Sequence, residues 1–359
     1  MIWAHNDVMR LCRIELPIIQ AGMAGSTTPE LVAAVSNSGA LGTIGAGYMS
    51  SEALEAEIQK VQSLTLRQFA VNLFVPEAVQ YDETQVKAMN ALLQPYRQAL
   101  GLEVPTVSSH EVQSFDDKIK LLIEYQVPIC SFTFGIPTQA TLDKLKRHHI
   151  ITIGSATTVE EAEALENAGV DLIVAQGSDA GGHRGSFKHE EHGTMVGTMA
   201  LVPQIVDHVN TPVIAAGGIM DGRGVLASMM LGAQGAQLGT AFLTTKESKA
   251  KPSHKQAIFK AKETDTTVTN IFSGKMARGL NNTFIQDLEN QPTPILPYPI
   301  QNDLTSPIRS AAGQIGKVDW MHLWSGQGVR LAQDVTATQL IEEIVTTIQQ
   351  LSHQLSKND

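Results

Sequence analysis

PVIAAGGI at 212–219 and AQLGT at 236–240 are the stretches from which the fold can be read. Each is a short, almost wholly apolar run that stops at glycine, and the helix-like segment 222–230 lies between them. Six runs of the same texture precede them: 17–21 (PIIQA), 41–45 (LGTIG), 69–73 (FAVNL), 127–132 (VPICSF), 150–154 (IITIG) and 170–175 (VDLIVA). Runs that are continuous rather than alternating suit strands covered on both faces, as in a parallel sheet. Helical segments separate them. Residues 28–38 carry Pro29 at the first helical position and Gly39 past the end, and 157–168 opens on threonine with early glutamates and closes at Gly169. Eight strands alternating with helices predict an α/β fold, a (β/α)8 TIM barrel. An open doubly wound sheet gives the same local pattern and is the alternative.

Two stretches break the alternation. Residues 76–126 are too long for a simple crossover and read as a helical insertion in a barrel spanning 1–245. Beyond Thr244 the strand–helix rhythm stops. Residues 247–262 look helical, 291–301 (QPTPILPYPIQ) is proline-rich and extended, and 246–327 reads as a mostly helical, lid-like subdomain over the barrel mouth. The remainder, 328–359, predicts a C-terminal amphipathic helix over 335–355 that packs back on the barrel.

With 359 residues, 43 % hydrophobic and 17 % charged, the chain has ample material for a core, which excludes intrinsic disorder. Lys and Arg total 26 against 36 Asp and Glu, a net charge of −10. That balance argues against nucleic acid or an anionic membrane as partner, while leaving room for a local basic pocket. Two cysteines exclude a disulfide scaffold and a thiolate-rich metal site. No apolar run approaches the roughly 18 residues that span a bilayer, and 1–13 lacks a secretory pattern. The expectation is a cytoplasmic protein, with a homo-oligomer left open.

The position of glycine points to chemistry. Loops after the seventh and eighth strands of such barrels often build a phosphate site from backbone N–H groups that glycine leaves approachable. Gly217, Gly218, Gln237, Leu238, Gly239 and Thr240 stand there, so a phosphate-bearing ligand is expected. The bland reading, tight turns alone, explains one such loop better than two. After the sixth strand comes AQGSDAGGHRG (175–185), where Gln176 offers amide donors and an acceptor, Gly181 shapes the loop, and His183 is the best general-base candidate. Asn72, at the end of the third strand, either reads the edge of a heterocycle or makes an Asx turn. Ala21, Gly22 and Met23 follow the first strand, where small residues let a flat ring lie on backbone; ordinary close packing is the alternative. SGKMARG (273–279) either binds an anion through Lys275 and Arg278 or is a solvated face. His189 and His192 lie in a charged loop without a supporting ligand cluster, and no metal is expected.

Together these motifs resemble the nitronate monooxygenase family, formerly the 2-nitropropane dioxygenases. The likeness runs through PIIQAGMAG (17–25), SNSGALGTIGAGY (36–48), FAVNLFVP (69–76), AQGSDAGGHRG (175–185), PVIAAGGIMDGRG (212–224), QLGTAFL (237–243), SGKMARG (273–279) and YPIQN (298–302). YPIQN and WSGQ (324–327) are similar to the class I branch. The resemblance implies a barrel holding one FMN noncovalently, without metal. It implies Asn72 and Gln176 near the isoalloxazine, Ala21, Gly22 and Met23 along the ring, and Gly181, Gly218 and Gln237 to Thr240 at the ribityl phosphate. His183 would be the catalytic histidine and Tyr298 an active-site aromatic. Asp179 stands where the family's loop often has Glu. The implied partners are a small nitronate and O2, giving a carbonyl compound and nitrite without nicotinamide. Propionate 3-nitronate is the substrate expected for class I, and detoxification the role. A dianionic substrate needs local positive charge, for which Arg184, Lys275 and Arg278 are the candidates. The alternatives are an FMN-dependent NAD(P)H reductase of quinones or enoyl-acyl-carrier-protein substrates on the same barrel, and a flavin-binding protein without turnover. A phosphosugar isomerase or aldolase would need a strand-end Lys or paired acids, which this chain does not offer convincingly.

Overall fold

The computed structural model describes residues 6–77, 79–107, 111–188 and 195–356. Its strands are β1 (Ile18–Gln20), β2 (Gly42–Gly45), β3 (Phe69–Phe74), β4 (Ile129–Thr133), β5 (Ile151–Ala156), β6 (Leu172–Gln176), β7 (Gly182–His183), β8 (Val213–Ala216), β9 (Gly235–Leu238), β10 (Thr266–Thr269) and β11 (Ala277–Leu280). Eight of them form one parallel sheet in the order β1-β9-β8-β6-β5-β4-β3-β2. A parallel bridge between Ile19 and Leu41 joins its two ends, with Gln20 N donating to Leu41 O at 2.9 Å, so the sheet closes on itself as a barrel. The eight barrel strands are the eight apolar runs, and the open doubly wound alternative falls away.

The pleat explains why those runs are continuous. On β3, Ala70 joins a cluster with Ile19, Leu41, Ile129, Leu172 and Ile214, while Val71 joins a second with Leu31, Val202 and Ile344 from surrounding helices. The first cluster fills the barrel and the second seals the helical shell, so neither face of a strand meets water. Val8 and Cys12, on the helix Asp7–Cys12, complete the inner cluster. Helix boundaries follow the capping signals. Thr28 accepts from Leu31 N ahead of Pro29–Asn37, and Thr158 accepts from Glu161 N ahead of Val159–Ala168.

The insertion at 76–126 contains the helices Glu83–Leu100 and Glu111–Glu124, but it does not stand apart from the late segment. Met89 and Leu93 share a core with Ile271, Phe272, Phe284, Leu296 and Leu304. The buried Arg97 donates to Leu304 O at 3.1 Å. Over 246–327 the chain forms the helices Pro252–Lys260, Thr283–Glu289 and Ile300–Gln314, together with β10 and β11. Its second half thus packs with an element far upstream, a pairing that no local pattern announces. The final helix, Ala337–Ser356, shares the shell cluster with Gly222–Met230 through Ile341, Ile344 and Val225. Among the described residues no helix is long and apolar enough to cross a membrane.

Candidate active site

The carboxyl ends of the barrel strands surround two adjoining cavities, of about 190 Å3 and about 60 Å3. Ala21, Gln176, Gly181, Gln237, Gly239 and Thr240 line both, so the two form one chamber. The larger part is also lined by Gly22, Met23, Asn72 and His183, and the smaller by Gly217 and Gly218. Leu238 lines neither; its side chain is fully buried in the core, although its carbonyl accepts from Ala21 N at 2.9 Å.

His183 is placed by two devices. The first is β7, which pairs antiparallel with β11 so that His183 opposes Ala277, while Arg184 N donates to Met276 O at 2.8 Å. The segment 273–279 is therefore the scaffold of the histidine loop. The second is Gln176. Its Nε2 donates to His183 O at 3.0 Å and its Oε1 accepts from Gly185 N at 2.7 Å. Further along, buried Glu161 accepts from Ser186 Oγ, Phe187 N and Lys188 N through Oε1 and from Thr157 through Oε2. Asp179 ties down the loop's start, accepting from Thr198 N at 2.6 Å and from its hydroxyl at 2.9 Å.

The imidazole sits 2.8 Å from Ser273 Oγ through Nε2. Ser273 Oγ also lies 3.2 Å from Lys275 O. The same hydroxyl bonds the ring, as acceptor from a protonated Nε2 or as donor to an unprotonated one, and so holds the imidazole in place. Phe74, Phe134 and Trp324 surround the ring at centroid distances of 6.3, 5.5 and 5.5 Å. Burial among them, with Arg309 and Lys275 nearby, lowers the His183 pKa to about 3, so the ring is neutral. Burial similarly holds His254, which bonds Trp324 O at 3.1 Å, down at about 4, and holds His322 well below the ordinary value.

The polar wall is set for a ligand. Asn72 Nδ2 donates to Ser131 Oγ at 3.0 Å and Thr133 Oγ1 at 3.1 Å, which fixes the amide and leaves Oδ1 as the free acceptor among the described residues. Ser325 Oγ and His322 Nδ1 are buried on the wall without a protein partner, the kind of atoms a bound polar molecule satisfies. At the narrow end the backbone leaves no room for side chains. A Cβ on Gly181 would lie 2.4 Å from Gly326 N, and one on Gly217, whose φ is +118°, would lie 2.7 Å from Thr198 Oγ1. The short helix Thr240–Leu243 begins directly after Gly239. A flat polar ring in the wide part with an anionic group at the glycine end fits this shape.

The basic residues singled out for substrate charge lie elsewhere. Arg184 is buried with Nη1 donating to Gln176 O at 3.0 Å, and Arg278 donates to Ser178 O at 2.8 Å and Thr266 Oγ1 at 3.1 Å. Lys275 Nζ stands 3.4 Å from Glu77 and 4.9 Å from the Phe134 ring centroid. None of the three lines the chamber or the neighbouring cavity described next. The charges of Arg184 and Arg278 hold loops together, while that of Lys275 also acts on His183. Tyr298 lines that adjacent cavity, of about 790 Å3, with its ring 5.6 Å from Phe134. Tyr48, Phe74 and His322 are shared between that cavity and the chamber. Sequence reasoning missed Tyr48, Ser273, His254, Arg309, His322 and Ser325. Of these, Tyr48, Ser273 and Ser325 lie inside the motifs SNSGALGTIGAGY, SGKMARG and WSGQ, while His254, Arg309 and His322 carried no signal. His189 and His192 lie outside the described residues; among the described residues no three His, Cys, Asp or Glu side chains converge as a metal site.

Known proteins resemble this chain in sequence and in fold. A profile of the family described as Nitronate monooxygenase matches residues 6–347. A probable nitronate monooxygenase of Staphylococcus haemolyticus is 55 % identical over 352 residues, covering 98 % of this chain and 99 % of that one. The solved structure of a nitroalkane oxidase from Streptomyces ansochromogenes superposes with a TM-score of 0.91 at 36 % identity, covering 97 % of this chain and 99 % of that chain. FabK from Thermotoga maritima superposes at 0.77 with 30 % identity, covering 99 % and 100 %. The chain belongs to the nitronate monooxygenase family and is an oxidoreductase.

Proposed function

We propose that this protein binds one FMN noncovalently in the mouth chamber and uses O2 to convert alkyl nitronates, propionate 3-nitronate foremost, into a carbonyl compound and nitrite. Its role would be detoxification in the cytoplasm. The observation that carries the reading is the pair of adjoining cavities, with a shared wall, that lead from His183 to the glycine cradle at Gly217 and Gly218. Gly181, Gly217, Gly218, Gly239 and Thr240 would hold the phosphate, and Ala21, Gly22 and Met23 would lie along the ring. Asn72 would present its Oδ1 to a ring N–H. Bound there, FMN supplies the redox chemistry of the reaction.

The protein's part is binding, charge and exclusion of water. Phe74, Phe134 and Trp324 crowd His183 and leave it half-buried at the chamber wall. A base with a pKa near 3 abstracts a carbon-bound proton poorly at neutral pH, because effective bases have pKa values near the working pH. This favours a substrate that arrives already ionised, as the nitronate. The cations that depress His183, Arg309 and Lys275, also favour a bound anion. An anion beside the ring raises its pKa again, so the histidine is positioned to hold a proton against the nitronate oxygens once substrate is present. The test is product analysis. Chromatography of the chromophore released on denaturation should give FMN, one per chain, and turnover should yield nitrite and carbonyl compound in equal amounts. A different flavin, or oxygen uptake without nitrite, would overturn the proposal.

A further inference from the structure

Among the described residues, no carboxylate neutralises the buried cation Arg309 at contact distance. It lies on the helix Ile300–Gln314 and is only 5 % exposed. Its Nη2 donates to Asn302 Oδ1 at 2.7 Å and Asn302 O at 3.2 Å. Its Nε is buried with no partner, and among the described residues no Asp or Glu oxygen lies within 4 Å of it. Asp303, Tyr48 and Tyr298 act on its charge electrostatically. A buried guanidinium left in this state costs free energy unless a ligand completes it. Arg309 lines the cavity of about 790 Å3 beside the chamber, and His322, whose Nδ1 is likewise orphaned, lines both spaces.

We infer that Arg309 is the specificity-determining residue that receives a carboxylate carried on the chain of the nitronate substrate. The inference rests on the nitronate reading above. The reacting carbon lies in the chamber near His183, while the tail passes Tyr48 and Phe74 into the adjacent cavity, where the guanidinium forms charge-assisted hydrogen bonds to the carboxylate. Lys118, on the same wall, and Asp303 set the remaining charge of the cavity.

The test compares propionate 3-nitronate with propyl 1-nitronate, which has a similar chain without the carboxylate. In Arg309→Met, the ratio of kcat/KM for the carboxylated over the neutral-tail substrate should fall at least tenfold, mainly through KM, and Arg309→Lys should recover part of it. An unchanged ratio overturns the assignment, as does an equal loss for both substrates. Because the variants could fold poorly, the wild-type holoenzyme provides a second reading. Propionate should perturb the flavin absorbance at a concentration at least tenfold below that needed with propionamide; equal concentrations refute the inference. That titration needs no turnover. A wild type that oxidises neither nitronate while still preferring propionate would sink the nitronate reading and leave the anion site standing.

Discussion

Replacing Gly217 with alanine tests the proposed cofactor cradle at its most constrained point. The residue has φ +118°, and a Cβ there would meet Thr198 Oγ1 at 2.7 Å, Ala180 N at 3.1 Å and Gly177 O at 3.2 Å. Thr198 cannot swing aside cheaply, because its hydroxyl bonds Asp179 Oδ2 at 2.9 Å and Gly217 O at 3.0 Å. The backbone conformation alone costs about 1–3 kcal/mol, and the overpacking about 1–3 kcal/mol more. Against a typical domain stability of about 5–15 kcal/mol, the loop relieves the strain most cheaply by moving out of the cradle. Each charge-assisted bond to phosphate lost in that movement is worth about 1.5–3 kcal/mol, or roughly 10–150-fold in affinity. The assay is titration of the apoprotein with FMN, followed by flavin fluorescence quenching, beside thermal melts of the apoprotein. Gly169→Ala is the control. It has φ +83° with open space around it at a helix end, so it should lose about 1 kcal/mol of stability with an unaltered Kd. Wild-type affinity and melting temperature in Gly217→Ala would refute the cradle.

Other consequences follow from the same geometry. Ser273→Ala removes the hydroxyl that holds the His183 ring; turnover should fall about tenfold with flavin retained, and a pH–rate profile superimposable on wild type would contradict this. His183→Ala should lower kcat by at least about 100-fold without loss of flavin, the scale typical of a proton-handling group; a fully active variant rules the role out. Glu161→Gln puts an amide donor where one carboxylate oxygen accepts, either from 186–188 or from Thr157, at about 1–3 kcal/mol by urea denaturation, and an unchanged midpoint would argue against the clasp. Acid should also destabilise the fold. Because the folded pKa values of His183, His254 and His322 lie below the unfolded value of about 6.5, the unfolded chain takes up protons first. Stability is therefore intact above about pH 6.5 and falls as pH drops towards 4. His254 alone, depressed to about 4, accounts for about 3 kcal/mol of the decline. A flat stability curve from pH 7 to 4.5 would exclude neutral burial.

The barrel was legible because its strands bury both faces, and a continuous apolar run is the direct trace of that environment. FAVNL became β3 with one edge in the barrel core and the other under helices. The two-residue β7 was not legible, since Gly182 and His183 carry no pattern and are ordered by β11 nearly a hundred residues later. Packing of the helix Glu83–Leu100 with the late segment was hidden for the same reason, as apolar periodicity reports that a face is buried but not against what. The site showed the complementary weakness. Glycines and His183 stand out by type and position, whereas a basic side chain looks the same whether it grips a carbonyl or awaits a ligand. Arg184 and Arg278 proved to be the first kind, while Arg309, in an unremarkable helical stretch, has the unpaired Nε.

Oxygen consumption by the FMN-loaded protein with propionate 3-nitronate, in the absence of any nicotinamide, tests the central claim most directly. The account predicts rapid uptake accompanied by nitrite. No uptake, from a protein whose bound flavin is instead bleached by NADH or NADPH, would contradict it.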